Sequence, residues 1–302
     1  MKTKTFLFLF ILVTTAAFAQ KEDKGLQKEI QSLIQGFNGS MGVYVKDLNS
    51  GKIVAINADT IFPTASVIKI PIMIGVMDKL AKGELHYHQE VVYKDSLLYA
   101  GVDILGSFKE GEKIEISKLL MLMLTMSDNT ASLWLQSMAG TGTRINAIMD
   151  SLGLQHTRVN SRTPGREGAR NEFGWGQTTP REMGVLIEKI YRGEIIDRGA
   201  SDRMLRMLNR NYWDAVSISQ IPPYATVFSK NGAVNATRNE VLLVKGAQSN
   251  YILSVFTKNN KDESWASSNE AWELTRKISA LLWNYFEPKD KWQPAPNAKQ
   301  FD

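Results

Sequence analysis

The stretch Met41-Gly42-Val43-Tyr44-Val45-Lys46-Asp47-Leu48, then Asn49-Ser50-Gly51, then Lys52-Ile53-Val54-Ala55-Ile56-Asn57-Ala58 decides the fold. Two runs of β-branched and apolar residues flank a short turn signal, which predicts a hairpin with strands over 41–48 and 52–58. Working outward, residues 26–38 place Leu26, Ile30, Leu33, Ile34 and Phe37 on one helical face. Strand character returns only near the other end, at 224–229, 240–245 and 251–257, and residues 266–286 repeat a helical apolar pattern. Between these ends, residues 61–210 are rich in Leu, Met and Ile at helical spacing. The expectation is an α+β fold. One mostly antiparallel sheet is built from both chain ends (20–60 and 211–287) and packed by the two terminal helices, with an inserted helical lobe (61–210), a cleft at the junction and a polar tail (288–302).

Three short motifs carry chemistry. Ser66-Val67-Ile68-Lys69 puts a hydroxyl and an amine three residues apart, on one face of a helix. The apolar run Ile70 to Met77 that follows predicts a buried helix, so Lys69 is expected in poor solvent, where its neutral form can accept the Ser66 proton. Ser127-Asp128-Asn129 lies between two apolar helical runs, where such residues also serve as ordinary N-caps. Lys230-Asn231-Gly232-Ala233 lies on or just after an apolar strand, where a lysine beside a glycine can hold an anion. His86 and His88 stand near Glu84 without a further ligand cluster and are read as a polar loop, not a metal site. Trp134 and Trp213 are read as core or cleft lining, and Tyr99 as a cleft-edge candidate.

In their order, and 61 and 103 residues apart, Phe62-Pro63-Thr64-Ala65-Ser66-Val67-Ile68-Lys69, Met126-Ser127-Asp128-Asn129-Thr130-Ala131 and Lys230-Asn231-Gly232 resemble the three motifs of the class A serine β-lactamases and their penicillin-binding relatives. The resemblance implies Ser66 as nucleophile and Lys69 as its base. It implies Ser127 as proton relay to the leaving nitrogen, and backbone N–H groups of Ser66 and Ala233 as oxyanion donors. Asn129, Lys230, Asn231, Gly232 and, eight residues beyond Lys230, Arg238 become substrate contacts. No cofactor or metal is implied. The implied substrate is a β-lactam or a cell-wall peptide, handled by a monomer. The likeness breaks at the loop after the second motif. The family's water-activating Glu falls on Thr163 in an ungapped comparison, and a shifted one aligns Glu167 and Asn171 to the family's Glu and Asn. Glu167 is therefore the candidate water activator, and a D-alanyl-D-alanine peptidase or a sensor that stays acylated are the alternatives to a β-lactamase. Ser161 and Gly176 replace an ion pair that pins the family's loop, and Gly165, Gly168, Gly174 and Gly176 suggest a looser one.

Composition narrows the setting. Among 302 residues there is no cysteine, which excludes disulfides, thiol nucleophiles and cysteine-ligated metals. The 36 basic and 31 acidic residues are interleaved along the chain, without the basic stripe of a nucleic-acid binder. Lys2 and Lys4, the apolar run Phe6 to Val13 and Ala17-Phe18-Ala19 read as a secretory signal cleaved after Ala19. That predicts a periplasmic or secreted chain with no stable membrane span.

Overall fold

The computed structural model describes residues 21–99 and 103–298, so the signal expectation at 1–19 lies outside the described residues. Strands β1 (Ser40–Asp47) and β2 (Ile53–Ile56) form the expected hairpin, whose turn is held by Asp47 accepting from the Asn49 N–H and the Ser50 hydroxyl. Strands β3 (Thr226–Val234), β4 (Thr237–Lys245) and β5 (Asn250–Lys258) come from the other end of the chain. They complete one antiparallel sheet in the order β2-β1-β5-β4-β3. Strand β3 runs five residues past the expected end at Ser229, because pairing with β4 continues through Val234 opposite Thr237. The Lys230-Asn231-Gly232 motif is thus inside a strand at the sheet edge.

The alternating side chains of the sheet feed two cores. Leu242 and Val244 face helices α1 (Lys24–Ile34) and α7 (Glu270–Phe286), with Ile30, Ile278 and Leu282. Val241 and Leu243 face the helical lobe. Both terminal helices start later or earlier than their apolar periodicity alone suggests, because side-chain caps fix them: Asp23 accepts the Leu26 N–H, and Asn269 accepts those of Ala271 and Trp272.

The inserted lobe contains α2 (Lys69–Ala81), α3 (Asn129–Met138), α4 (Thr141–Ser151), α5 (Pro180–Arg192) and α6 (Arg198–Leu208). It also carries short strands that periodicity did not reveal: Phe62–Pro63, Arg158–Val159 and Gly176–Thr178 form one small sheet. All nine residues from Lys69 to Met77 are buried, as expected for a helix apolar around its circumference. Among the described residues no helix is long and apolar enough to cross a membrane.

Candidate active site

Ser66 lies in a 3₁₀ turn, Ala65–Ile68, that leads into α2. Ala65 is held at φ +45°, an unfavourable backbone for a residue with a Cβ, and the turn is fixed on both sides. The Thr64 N–H donates to the Gly176 carbonyl (2.9 Å), and the Asn239 amide of β4 donates to the Pro63 carbonyl (2.8 Å). Strand β3 then passes so close that a Cβ on Gly232 would stand 2.6 Å from the Ser66 backbone nitrogen. Only glycine permits this approach, and it brings Ser66 and Ala233 onto the wall of one cavity of about 190 Å³.

The second motif enters from above. A π-helical turn, Leu122–Met126, ends at Ser127 in the left-handed conformation (φ 61°), and Asp128 caps α3 by accepting the Ala131 N–H at 2.8 Å. The other Asp128 oxygen accepts the Leu105 N–H, and burial raises the affinity of this carboxyl for its proton. The capping role and the site role thus coexist. The turn aims Ser127 at two lysines at once.

Lys69 Nζ donates to the Ser127 carbonyl, to Ser127 Oγ (3.1 Å) and to Asn129 Oδ1 (2.9 Å). Lys230 Nζ donates to Ser127 Oγ (3.1 Å), to the Asn231 carbonyl (2.8 Å) and to Asn231 Oδ1 (3.2 Å). Both lysines are fully buried. Burial pushes Lys69 down to about 7, against the pull of the Asp103 and Asp128 carboxylates. Lys230 is driven well below the ordinary lysine range, first by burial and then by the neighbouring charge of Lys69. One hydroxyl therefore bridges two amines that cannot both easily carry a proton, which is an arrangement for moving protons.

Three sequence expectations do not survive the tertiary structure. Arg238 does not line the cavity: β3–β4 pairing sets it opposite Ala233, but its guanidinium donates to the carbonyls of Asn235, Thr237, Glu263 and Ser264 and lies against the Trp265 and Trp272 rings, 4.7 and 4.9 Å from their centroids. Glu167 is exposed at the start of the helical turn Glu167–Phe173, accepts the Gly165 N–H at 3.2 Å, and does not line the cavity over Ser66. The loop is not loose either. Arg166 donates to Asn160 (2.8 and 3.0 Å) and Gln177 (2.7 Å), Gln136 and Ser161 bond each other, and Gly176 is packed so tightly that a Cβ would meet Ile68 at 2.5 Å. Thr163 is buried with its side chain against Gly142 of α4.

Other residues fall where sequence could only guess. Tyr99 edges the cavity in a T-shaped pair with Trp175 at 5.0 Å, Trp134 is core, and Trp213 is half exposed with its indole N–H on the Met126 carbonyl. Glu84 pairs with Lys79 and His88 with Glu115 (2.8 Å). Phe173 and Trp175, which line the cavity, gave no sequence signal beyond being aromatic.

A family model described as the beta-lactamase enzyme family matches residues 24–286, nearly the whole described chain. The chain belongs to the β-lactamase enzyme family. It is a serine β-lactamase-like hydrolase. Beta-lactamase VEB-1 of Pseudomonas aeruginosa is 23% identical over 93% of this chain and 96% of its own length. Among solved structures, an acyl-enzyme complex of a PBP-A mutant with penicillin G is 25% identical, covers 89% of this chain and 98% of that one, and superposes with a TM-score of 0.79. An ancestral class A β-lactamase, 20% identical, shares the fold over 86% of this chain and all of that one, with a TM-score of 0.75.

Proposed function

We propose that the protein is an exported hydrolase that opens β-lactam amides through an acyl-enzyme on Ser66. The observation that supports this most directly is the cavity lined by Ser66, Ala233 and Asn129, whose Asn129 Oδ1 accepts from Lys69 and so joins it to the buried web Lys69–Ser127–Lys230. In this mechanism neutral Lys69 takes the Ser66 proton as Oγ attacks the carbonyl carbon. The Ser66 and Ala233 N–H groups hold the oxyanion. Ser127 passes a proton to the departing nitrogen, resupplied from Lys69, and the lactam C–N bond breaks. Lys230 and Asn231 receive the substrate carboxylate, and Asn129 orients Lys69.

A specific observation favours slow release of the acyl group. The described residues lining the cavity include no carboxylate, Thr163 is turned into α4 and Glu167 faces solvent. The penicillin-binding alternatives, a peptidase for D-alanyl-D-alanine or a sensor that stays acylated, draw support from the same feature. A chromogenic cephalosporin separates them. Many turnovers per enzyme support the β-lactamase, one equivalent that then stops supports a trap, and D-alanine release from a peptide without a burst supports the peptidase. A Ser66→Ala protein that still forms a covalent adduct with labelled penicillin refutes the assignment of the nucleophile.

A further inference from the structure

Strand β4 carries, opposite Asn231, a carboxyl that the acylation mechanism does not use. Glu240 directly precedes the apolar run Val241-Leu242-Leu243-Val244 of β4 and is 3% exposed. It is paired directly with Asn231 of β3, so the two side chains lie on the same face of the sheet as neighbours. Its Oε2 accepts the Ser217 N–H at 3.0 Å, while its Oε1, buried, has no hydrogen-bond partner of good geometry, and neither has the adjacent Ser217 hydroxyl. A buried carboxylate oxygen left in that state is costly when ionised.

Among the described residues, few charges surround it. From β3 it feels Lys230, whose donors are all engaged with Ser127 and Asn231. From the segment before β3 it faces Asp214. From α7, Arg276 bonds the Ala215 carbonyl and Glu273, and Ser279 bonds the Ser217 carbonyl. The residue paired with it on β5 is apolar Val255. Burial is the leading cause that pushes Glu240 up to about 7; the side chain and N–H of Ser217, and after them the charge of Lys230, oppose it, and Asp214 adds to it. It is thus largely neutral below that pH and ionised above it.

We propose that Glu240 is a specificity-determining charge gate: protonated, it lets a substrate carboxylate settle against Lys230 and Asn231, and ionised, it opposes that carboxylate. The gate rests on the proposed acylation of Ser66 and concerns which substrates reach it. The test compares acylation efficiency of a labelled penicillin, which carries a carboxylate, with that of its methyl ester, from pH 6 to pH 8. The ratio of the two cancels the titration of Lys69. In the wild type the ratio is expected to fall about tenfold over that range, the scale of one charge pair at a partly screened separation. Glu240→Gln, which keeps an acceptor for the Ser217 N–H, is expected to flatten the fall and to raise the ratio at pH 8 about tenfold. Glu240→Asp restores the fall. If the ratio in Glu240→Gln falls as steeply as in the wild type, or lies below it at pH 8 because Lys230 has lost a counter-ion, the gate is overturned while acylation stands. If neither compound labels Ser66 at any pH, the proposed function fails and the gate with it.

Discussion

Replacing Gly232 by alanine tests the geometry on which the proposed chemistry depends. The added Cβ would stand 2.6 Å from the Ser66 nitrogen, 2.8 Å from the Thr64 carbonyl oxygen and 3.0 Å from the Val67 nitrogen. All three are backbone atoms, so no side chain can swing aside. Reaching an ordinary contact of 3.4 Å requires β3 and the Ser66 turn to part by about 0.8 Å. The turn is tied to β4 through Asn239 and to the small sheet through Thr64, so the strand edge yields first and carries the Ala233 N–H with it. Loss of one oxyanion donor costs about 2.7–4 kcal/mol of barrier, or roughly 10²–10³ in rate. Overpacking itself costs about 1–3 kcal/mol of stability. The assay is the second-order rate of acylation by a fluorescent penicillin, with a thermal melt to establish that the variant is folded. Gly168→Ala serves as control, because a Cβ there meets nothing within 4 Å. If Gly232→Ala acylates within threefold of the wild type, the close pass of β3 over Ser66 is not the reacting geometry.

Three further outcomes are expected. Because Lys69 sits at about 7, its neutral form grows as pH rises, and acylation by a neutral penicillin ester should increase about tenfold from pH 6 to 8; a flat profile would remove Lys69 as the base. Arg238→Ala strands four carbonyls and removes the cation lying against two indoles, which should cost about 3–5 kcal/mol and lower Tm by roughly 10 °C, with acylation kinetics unchanged; a selective rise in KM for carboxylate substrates would return it to the cleft. Glu167→Gln should leave deacylation within twofold of the wild type in a burst and recovery experiment, since the side chain faces solvent; a tenfold slowing would show that the loop rearranges to bring it in.

Where the signal is local, the order of residues suffices to set the structure. The hairpin at 41–58 was legible because turn chemistry and β-branched runs act within a few residues. The burial of α2 was legible because apolar side chains surround its whole circumference. Ser66, Lys69, Ser127 and Lys230 stand out as candidates because their order and spacing resemble a family's motifs, and the fold brings Lys69, Ser127 and Lys230 into one hydrogen-bonded web. What local signal could not supply was where side chains of distant segments end up. Arg238 looked free at eight residues from Lys230, but it is drawn against Trp265 and Trp272, residues that only the packing of the 263–272 segment and α7 brings near it. Glu167 carried the right functional group, yet the pinning of its loop by Arg166 turns it to solvent. Glu240 read as one acidic residue in a strand. Only the register of β4 on β3 sets it beside Asn231, because strand pairing converts a position in the chain into a neighbour in space.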